Sequence, residues 1–261
     1  MTHMQTQTAA KTYTTRTICL KTYDYGEADK ILHLYSPHLG RISAMAKGAR
    51  RANSKLSGAC ELLALTQMQL TRGRNFDVVN QYQSMNSFIG IRSDILKLAF
   101  ANLYAELVHG LTTEEDEDSE GVFGLLETSL RQLEETPEAL TSYQATAFQV
   151  SLLSITGFMP MLSHCQVSDE PVRDEVPYYA FSAEHGGIVL PEHRQHITGA
   201  SWVNVSTPTL QALLACVEGD TAVFLQADAL KVQKFLAWYY QRLLEKPVKA
   251  CNFVYQLLET A

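Results

Sequence analysis

The residues most suited to chemistry in this sequence are basic side chains, and many of them lie in one short stretch. The segment MAKGARRANSKLSG (residues 45–58) carries Lys47, Arg50, Arg51 and Lys55 and no acidic residue, although the 261-residue chain has a net charge of −7. Exposed guanidinium and ammonium groups bind phosphates, and arginine also stacks on bases. The stretch therefore indicates a site for a polyanion, with a merely solvated loop as the alternative.

Further basic residues flank this stretch, and Glu61 is the single acid between residues 41 and 74. Residues 1–80 hold 11 Lys and Arg against 5 Asp and Glu, whereas residues 81–261 hold 10 against 23. This asymmetry indicates two units with different partners, although one charged solvated face would also produce it. The side chains predicted to bind nucleic acid are Arg41, Lys47, Arg50, Arg51, Lys55, Arg72 and Arg74. The aromatic side chains expected to add stacking platforms are Tyr23, Tyr25 and Phe76.

A second group of residues has the chemistry of metal ligands. The stretches CQVS and HRQH contain Cys165, His193 and His196, but Ser168 stands where a second thiolate would be needed. A structural zinc site requires four ligands, and a neutral serine hydroxyl is a poor one. These three residues are the candidate ligands if a metal binds. We expect instead a metal-free loop packed by its own side chains, with no cofactor.

Motifs for catalysis are missing from the sequence. It contains no G-x4-G-K-[ST] phosphate loop, no G-x-S-x-G elbow and no H-E-x-x-H helix. The acidic run EEDEDSE (residues 114–120) is too dense for tuned acid–base chemistry and is typical of a solvated loop, with mimicry of DNA as an alternative. We expect no enzymatic activity.

The elements that must position the basic residues are β-strands. Runs rich in Thr, Tyr, Ile and Val alternate with turns over the first 85 residues, and Gly73 lies in a predicted tight hairpin turn. Five short strands with one long glycine-bearing connection favour a Greek-key barrel, most simply an OB-fold. The predicted strands cover 13–21, 30–36, 41–47, 61–71 and 76–85.

Beyond residue 88 the hydrophobic period becomes helical. Thr136, Pro137 and Glu138 form a predicted N-terminus for a helix that ends near Ser154, before Gly157. The other predicted helices cover 91–111, 121–135, 206–217, 229–245 and 250–259, and residues 158–200 are predicted to be irregular with short strands.

The overall organisation follows from these patterns. We predict a flexible extension over residues 1–12, a nucleic-acid-binding barrel over 13–86 and a mainly helical domain over 87–261, which makes the fold class α+β. Five scattered cysteines indicate free thiols in a reducing compartment. No apolar run is long enough to span a bilayer and no signal peptide is recognisable, so we expect a cytoplasmic protein with no membrane partner.

With these features in view, the sequence resembles the RecO family of bacterial recombination mediators. The resemblance covers nearly the whole chain after residue 12, and GRISAMAKGARR is its most specific block. The matching stretches are YGEADKILHLYSPHLGRISAMAKGARR (25–51), SKLSGACELLALTQMQLTRGR (54–74), GFMPMLSHCQVS (157–168), FSAEHGGIVL (181–190) and LLEKPVKACNFVYQLLE (243–259).

The resemblance implies an N-terminal OB-fold and a helical domain with a small insertion that binds zinc in some members. It also implies binding of single- and double-stranded DNA, annealing of complementary strands, and contacts with RecR and with the acidic tail of single-stranded DNA-binding protein (SSB). Together these activities would help load RecA onto coated single strands. Lys97 and Arg131 are candidates for a basic rim that meets the acidic tail.

The resemblance does not extend to the zinc site that some family members have. Aligning GGIVLPEH with the family's glycine-pair segment places Leu190 and His193 at the last two ligand positions, and Ser168 at the second. Two of four ligands are then lost, and His196 compensates only in part.

The sequence thus favours a non-enzymatic DNA-binding mediator of recombinational repair. The alternative from another class is a scaffold whose basic barrel contacts an acidic protein rather than DNA. A zinc-dependent hydrolase is a third hypothesis, which requires stoichiometric metal.

Overall fold

The computed structural model describes residues 12–114, 117–196 and 201–260, and for His196 only the backbone. The expected N-terminal extension lies outside these residues except for Thr12, which begins the first strand. Two compact units are formed: residues 12–87 join 112–123 in one, and residues 88–111 join 124–260 in the other.

The first unit is a closed five-stranded barrel, as the sequence predicts. Strands are hydrogen-bonded in the order β1-β2-β3-β5-β4, with β4 pairing back onto β1. All pairs are antiparallel except β3 with β5, whose parallel contact at Ala44–Asp77 and Met45–Val78 closes the barrel. This is the arrangement of an OB-fold. The strands are β1 (Thr12–Tyr25), β2 (Asp29–Ser36), β3 (Gly40–Ala46), β4 (Leu65–Thr71) and β5 (Asp77–Asn86).

The barrel forms because apolar residues recur with period 2 along its strands. In β3, buried and partly exposed positions alternate without interruption from Gly40 to Ala46. Leu32, Leu34 and Met68 are fully buried inside the barrel. Charged residues such as Arg41 are thereby left on the outer face.

The fourth strand is shorter than predicted, because the chain before it turns. Residues Gly58–Cys60 form a 3-10 helix, and Leu63 has a positive φ of 66°. The Leu63 amide donates to the Cys19 carbonyl at 2.8 Å, and the Cys19 amide donates to the Ala64 carbonyl. These bonds attach the end of the long β3–β4 connection to β1 before regular pairing begins at Leu65.

Residues 112–123, here called the acidic segment, pack on the barrel although they lie far along the chain. The Arg41 amide donates to the Thr113 carbonyl at 3.1 Å, and Gly40 and Glu114 form an isolated antiparallel bridge. The buried Ser119 hydroxyl donates to the Pro37 carbonyl at 2.9 Å. The acidic run is therefore fastened to the β2–β3 turn.

The second unit is mainly helical, as predicted, and contains a small sheet. None of the helices in the described residues is long and apolar enough to cross a membrane. The helices are α1 (Ile89–Arg92), α2 (Ile95–Leu111), α3 (Ser119–Glu135, which starts in the acidic segment), α4 (Thr141–Ile155), α5 (Thr207–Glu218), α6 (Thr221–Phe224), α7 (Ala229–Leu244) and α8 (Ala250–Thr260).

The single helix predicted over 91–111 is wrong, because it is interrupted at Ser93 and Asp94. The Asp94 carboxylate accepts the amides of Leu96 and Lys97, both at 3.0 Å. An aspartate in this position satisfies free amides at a helix start and favours a new N-terminus over continuation. The apolar period continues across the break, which is why periodicity alone missed it.

The predicted N-terminus at Thr136 is also wrong. The Thr136 amide and hydroxyl both donate to the Gln132 carbonyl, at 2.8 and 2.6 Å, so this residue closes α3. A 3-10 turn over Glu138–Leu140 follows, and α4 starts only at Thr141. The predicted end of this helix is confirmed, since it ends at Ile155 with Gly157 in the left-handed region (φ 76°).

The insertion that sequence reasoning left irregular contains a three-stranded sheet in the order β7-β6-β8. Gly187 is needed there, because a Cβ at this position would lie 2.6 Å from the Gln166 amide nitrogen and 2.9 Å from the Met161 carbonyl. The Gln166 side chain and the Met161 backbone thus leave no room for a side chain at Gly187. The strands are β6 (Tyr178–Ser182), β7 (Gly187–Val189) and β8 (Val203–Ser206).

Candidate nucleic-acid interface

Four of the predicted basic residues lie together on the β3–β4 connection and form what we call the loop cluster: Lys47, Arg50, Arg51 and Lys55. All four side chains are exposed. Gly48 begins the turn in the left-handed region (φ 66°), and its amide donates to the Asp29 carboxylate at 2.7 Å. The loop is therefore held against the β1–β2 turn while its cations face solvent.

Arg50 adds two further attachments to that turn. Its amide donates to the Ala28 carbonyl at 2.9 Å, and its guanidinium donates to the Gly26 carbonyl at 3.1 Å. Its Nε lies 3.4 Å from the Asp24 carboxylate, which also pairs with Lys30. Exposed ion pairs of this kind contribute little stability, so Arg50 can exchange a carboxylate for a phosphate at small cost.

The three remaining predicted residues lie together in a second place, which we call the arginine cleft. Arg41 on β3 and Arg72 and Arg74 on the β4–β5 hairpin line a depression of about 210 Å³. The cleft is also lined by Ser43, Asn75, Asp77 and Glu114. Guanidinium groups are suited to binding the oxygens of a phosphate.

The shape of the β4–β5 hairpin determines where Arg72 and Arg74 lie in the cleft. A Cβ on Gly73 would lie 1.9 Å from the Phe76 carbonyl oxygen, so only glycine fits this turn. The Gly73 amide donates to Asp77 at 3.0 Å, and the Tyr13 hydroxyl donates to the same carboxylate. The Arg72 guanidinium lies 4.8 Å from the centre of the Tyr13 ring, a cation–π contact that orients it.

Two of the predicted aromatic residues connect the two basic groups. The rings of Tyr25 and Phe76 are 6.5 Å apart, and Tyr25 is 49% exposed. Tyr25 precedes the turn that holds Arg50, whereas Phe76 lies two residues after Arg74. The aromatic pair therefore joins the β1–β2 turn, which holds the loop cluster, to the β4–β5 hairpin.

The third aromatic residue, Tyr23, is 41% exposed and lies near His33. The two rings are 5.6 Å apart and nearly perpendicular, and the Lys21 ammonium lies 4.7 Å from the Tyr23 ring centre. Burial lowers the pKa of His33 below its ordinary value, and Arg41 and Lys21 lower it further, against the opposite effect of Glu114. His33 is accordingly neutral at pH 7, and the positive charge here comes from arginine and lysine.

Sequence reasoning identified the cations but missed the carboxylates among them. Asp24 and Asp29 hold the loop, while Asp77 and Glu114 line the arginine cleft. The three aspartates are local to the barrel strands and could have been noticed as flanking residues. No signal in the sequence connects Glu114 with Arg41.

The residues at the four zinc-ligand positions do not form a ligand set. Cys165 is buried, and its sulfur accepts the Leu190 amide at 3.3 Å. Leu190 supplies an aliphatic side chain to the core, and the His193 amide donates to the Leu190 carbonyl. The His196 side chain lies outside the described residues. Among those described, no three His, Cys, Asp or Glu side chains are placed to hold a metal ion.

The two residues suggested as a basic rim for an acidic protein tail both have partners in the helical unit. The Lys97 ammonium donates to the Glu134 carbonyl at 2.9 Å. Arg131 pairs with Glu127 one helical turn before it at 3.0 Å. Their assignment to a tail-binding site stays a prediction.

Comparison with known proteins finds the same family in both units of the chain. The family model described as "Recombination protein O N terminal" matches residues 10–88, and "Recombination protein O C terminal" matches residues 92–251. A "DNA repair protein RecO" of Dehalococcoides mccartyi (strain ATCC BAA-2266 / KCTC 15142 / 195) is 34% identical over 210 residues, which cover 80% of this chain and 79% of the relative.

Two further relatives extend the match. The "DNA repair protein RecO" of Gloeobacter violaceus is 32% identical over 246 residues, or 92% of this chain and 88% of the relative. The protein of the same name from Symbiobacterium thermophilum is 28% identical over 245 residues, or 91% and 94%. With both family models matched in order, the chain belongs to the RecO family of DNA repair and recombination proteins.

Proposed function

We propose that this protein is a DNA-binding recombination mediator without enzymatic activity. It binds single- and double-stranded DNA, anneals complementary strands and, together with RecR, helps load RecA onto single strands coated with SSB. The protein acts in the bacterial cytoplasm at the nucleoid. Membership of the RecO family supports the general role in repair, and the basic groups on the barrel support the DNA contact.

The observation that carries this proposal is the loop cluster. In an acidic chain, four exposed cations lie on one connection, and backbone bonds to the β1–β2 turn hold that connection in place. A preorganised row of cations beside aromatic rings is what a single strand requires of a sequence-neutral binding groove. We therefore assign the contact to the phosphate backbone rather than to the edges of particular bases.

The protein partners belong to the helical unit in this proposal. RecR and the acidic SSB tail would dock there, and RecA would be engaged through the mediator complex rather than directly. Lys97 and Arg131 remain the proposed rim for the tail. Docking of the SSB tail on the helical unit rests on the family resemblance, whereas Lys97 and Arg131 are chosen only because they are basic residues of that unit.

The test is binding of a fluorescent single-stranded oligonucleotide across a salt series. Each phosphate that the protein neutralises makes the slope of log affinity against log salt steeper by about 0.7 for single strands. Seven basic residues in the two groups predict a steep decline. A labelled acidic peptide titrated in parallel separates this function from that of a scaffold, since the scaffold binds only the peptide.

The second test concerns metal. We propose that the protein functions without zinc, because Leu190 at one ligand position has no donor atom and Ser168 at another offers only a neutral hydroxyl. Elemental analysis of protein purified without chelator should find zinc far below one equivalent per chain. Stoichiometric metal would contradict this and revive the hydrolase hypothesis.

A further inference from the structure

The arginine cleft contains a carboxylate from a distant part of the chain. Glu114 lines it together with Arg41, Arg72 and Arg74. The electrostatic surroundings of His33 on β2 include both Arg41 and Glu114, which act on its pKa in opposite directions. Glu114 therefore lines the same depression as the arginines to which the proposed function assigns a phosphate.

Hydrogen bonds on both sides of Glu114 keep it there. The Thr113 carbonyl accepts a hydrogen bond from the Arg41 amide at 3.1 Å, and the Glu114 backbone forms an isolated antiparallel β-bridge with Gly40. Further along the acidic segment, the Ser119 hydroxyl donates to the Pro37 carbonyl at 2.9 Å, and the Phe123 ring packs under the Arg16 guanidinium at 5.0 Å. The acidic segment is thus tied to the barrel at Thr113 and Glu114 and again at Ser119 and Phe123.

The charges of the barrel and the acidic segment offset each other. Residues 1–87 carry 11 Lys and Arg against 5 Asp and Glu, a balance of +6. The acidic segment contributes six carboxylates and no base, which brings the whole unit to zero. Glu117, Asp118 and Glu120 are exposed, so their charge is directed to solvent rather than used in a core.

We propose that the acidic segment is a built-in competitor for the arginine cleft, in which Glu114 occupies the place of a nucleic-acid phosphate until a strand displaces it. The inference rests on the proposed DNA binding and refines it. A single phosphate gains little by displacing a tethered carboxylate, because the local concentration of a tethered group is high. A strand that also engages the loop cluster supplies many contacts at once, so the competitor favours polymers over free nucleotides.

The test compares Glu114→Gln with Glu120→Gln in binding of a fluorescent oligo-dT of about 30 nucleotides, long enough to span both basic groups. Both variants remove one charge from the same segment, but Glu120 does not line the cleft. Glu114→Gln should raise affinity about threefold at roughly 50 mM salt, and the gain should shrink toward onefold at about 300 mM as screening increases. Glu120→Gln should change affinity by less than half as much.

A double-mutant cycle locates the effect. In an Arg72→Ala/Arg74→Ala background, the gain from Glu114→Gln should fall below about 1.5-fold, whereas in an Arg50→Ala/Arg51→Ala background it should persist. Equal gains from Glu114→Gln and Glu120→Gln, or a gain that survives loss of the cleft arginines, would overturn the competitor.

The competitor and the proposed function fail in different ways. If the wild-type protein binds in a salt-dependent manner and Glu114→Gln binds no better, only the competitor is wrong. If neither protein binds at any salt concentration, the proposed DNA binding is wrong and the competitor with it. Circular dichroism of each variant confirms that the comparison is made between folded proteins.

Discussion

The loop cluster and the arginine cleft are both basic, but the fold holds their cations in different ways. In the loop cluster, backbone atoms and carboxylates attach the connection to the β1–β2 turn, and the side chains extend into solvent. In the cleft, the arginines line a small cavity that also contains Asp77 and Glu114.

The difference shows that basic residues which look alike in the sequence are not equally available to a phosphate in the folded protein. A phosphate at the loop cluster meets exposed cations, and the carboxylate that pairs with Arg50 is itself exposed. A phosphate at the cleft must compete with two carboxylates for three arginines. We therefore expect the loop to supply more of the affinity, and the cleft to be the place where it is regulated.

The largest effects are expected from alanine substitutions at the turn glycines of the cleft and the loop. Gly73→Ala should destabilise the barrel by roughly 3 kcal/mol, because its Cβ would collide with a backbone oxygen that cannot move freely. Gly48→Ala should cost about 1 to 2 kcal/mol, since there only the left-handed conformation is strained and the nearest atoms are a flexible arginine side chain at 3.6 Å. Amide hydrogen exchange of the barrel strands measures both free energies.

The matched control for the glycine variants is Gly124→Ala. No atom lies within 4 Å of a Cβ at this helical position, so alanine should be neutral or slightly stabilising. If Gly48→Ala proved as damaging as Gly73→Ala, the loop would depend on its backbone geometry as strictly as the cleft does.

The loop cluster is tested directly by Arg50→Ala/Arg51→Ala. Removal of two phosphate contacts should lower affinity for single-stranded DNA roughly 20-fold at about 0.1 M salt and reduce the salt slope by about 1.4. The decrease should be the same for unrelated sequences, because backbone contacts do not read bases. Fluorescence anisotropy over a salt series measures it, and unchanged affinity would remove the loop from the interface.

The corresponding change in the cleft should have a smaller effect. Arg72→Ala/Arg74→Ala should lower affinity only about fivefold under the same conditions, because Glu114 and Asp77 already offset part of the positive charge. The same anisotropy titration applies, with Glu135→Gln as a surface control in the helical unit. A decrease larger than that of the loop variant would reverse the ranking of the two groups.

The smallest effect concerns His33, which lies beside the cleft arginine Arg41. Because its pKa is lowered in the folded protein, the unfolded chain takes up a proton first as the pH falls. Stability contributed by neutral His33 is therefore present above its ordinary pKa of about 6.5 and lost on acidification. His33→Asn should reduce the drop in Tm between about pH 7.5 and 5.5.

Much of the barrel could be predicted from the sequence because its signals are local. Alternation in β3 and the glycine turn at Gly73 are properties of short stretches. The helix starts were less predictable. Asp94 and Thr136 are both good capping residues by type, but only Asp94 caps a helix, whereas Thr136 bonds backwards to Gln132.

Buried polar residues in the helical unit were not predictable at all. Gln149 and Gln233 are buried and joined by a 2.9 Å hydrogen bond, and Gln233 also donates to Thr146. The Tyr240 hydroxyl donates to the Gln149 carbonyl at 2.7 Å. Glutamine is typical of surfaces, and only its partners across two helices make its burial favourable.

The sequence by itself determined that this protein has a basic β-rich half, a helical half and cations concentrated near residues 41–74, because composition and periodicity are read along the chain. Tertiary structure alone decided which of those cations share a surface and which share a cavity. It also decided that Glu114 returns to Arg41, since a contact between residues so distant in sequence depends on how the folded barrel binds the acidic segment.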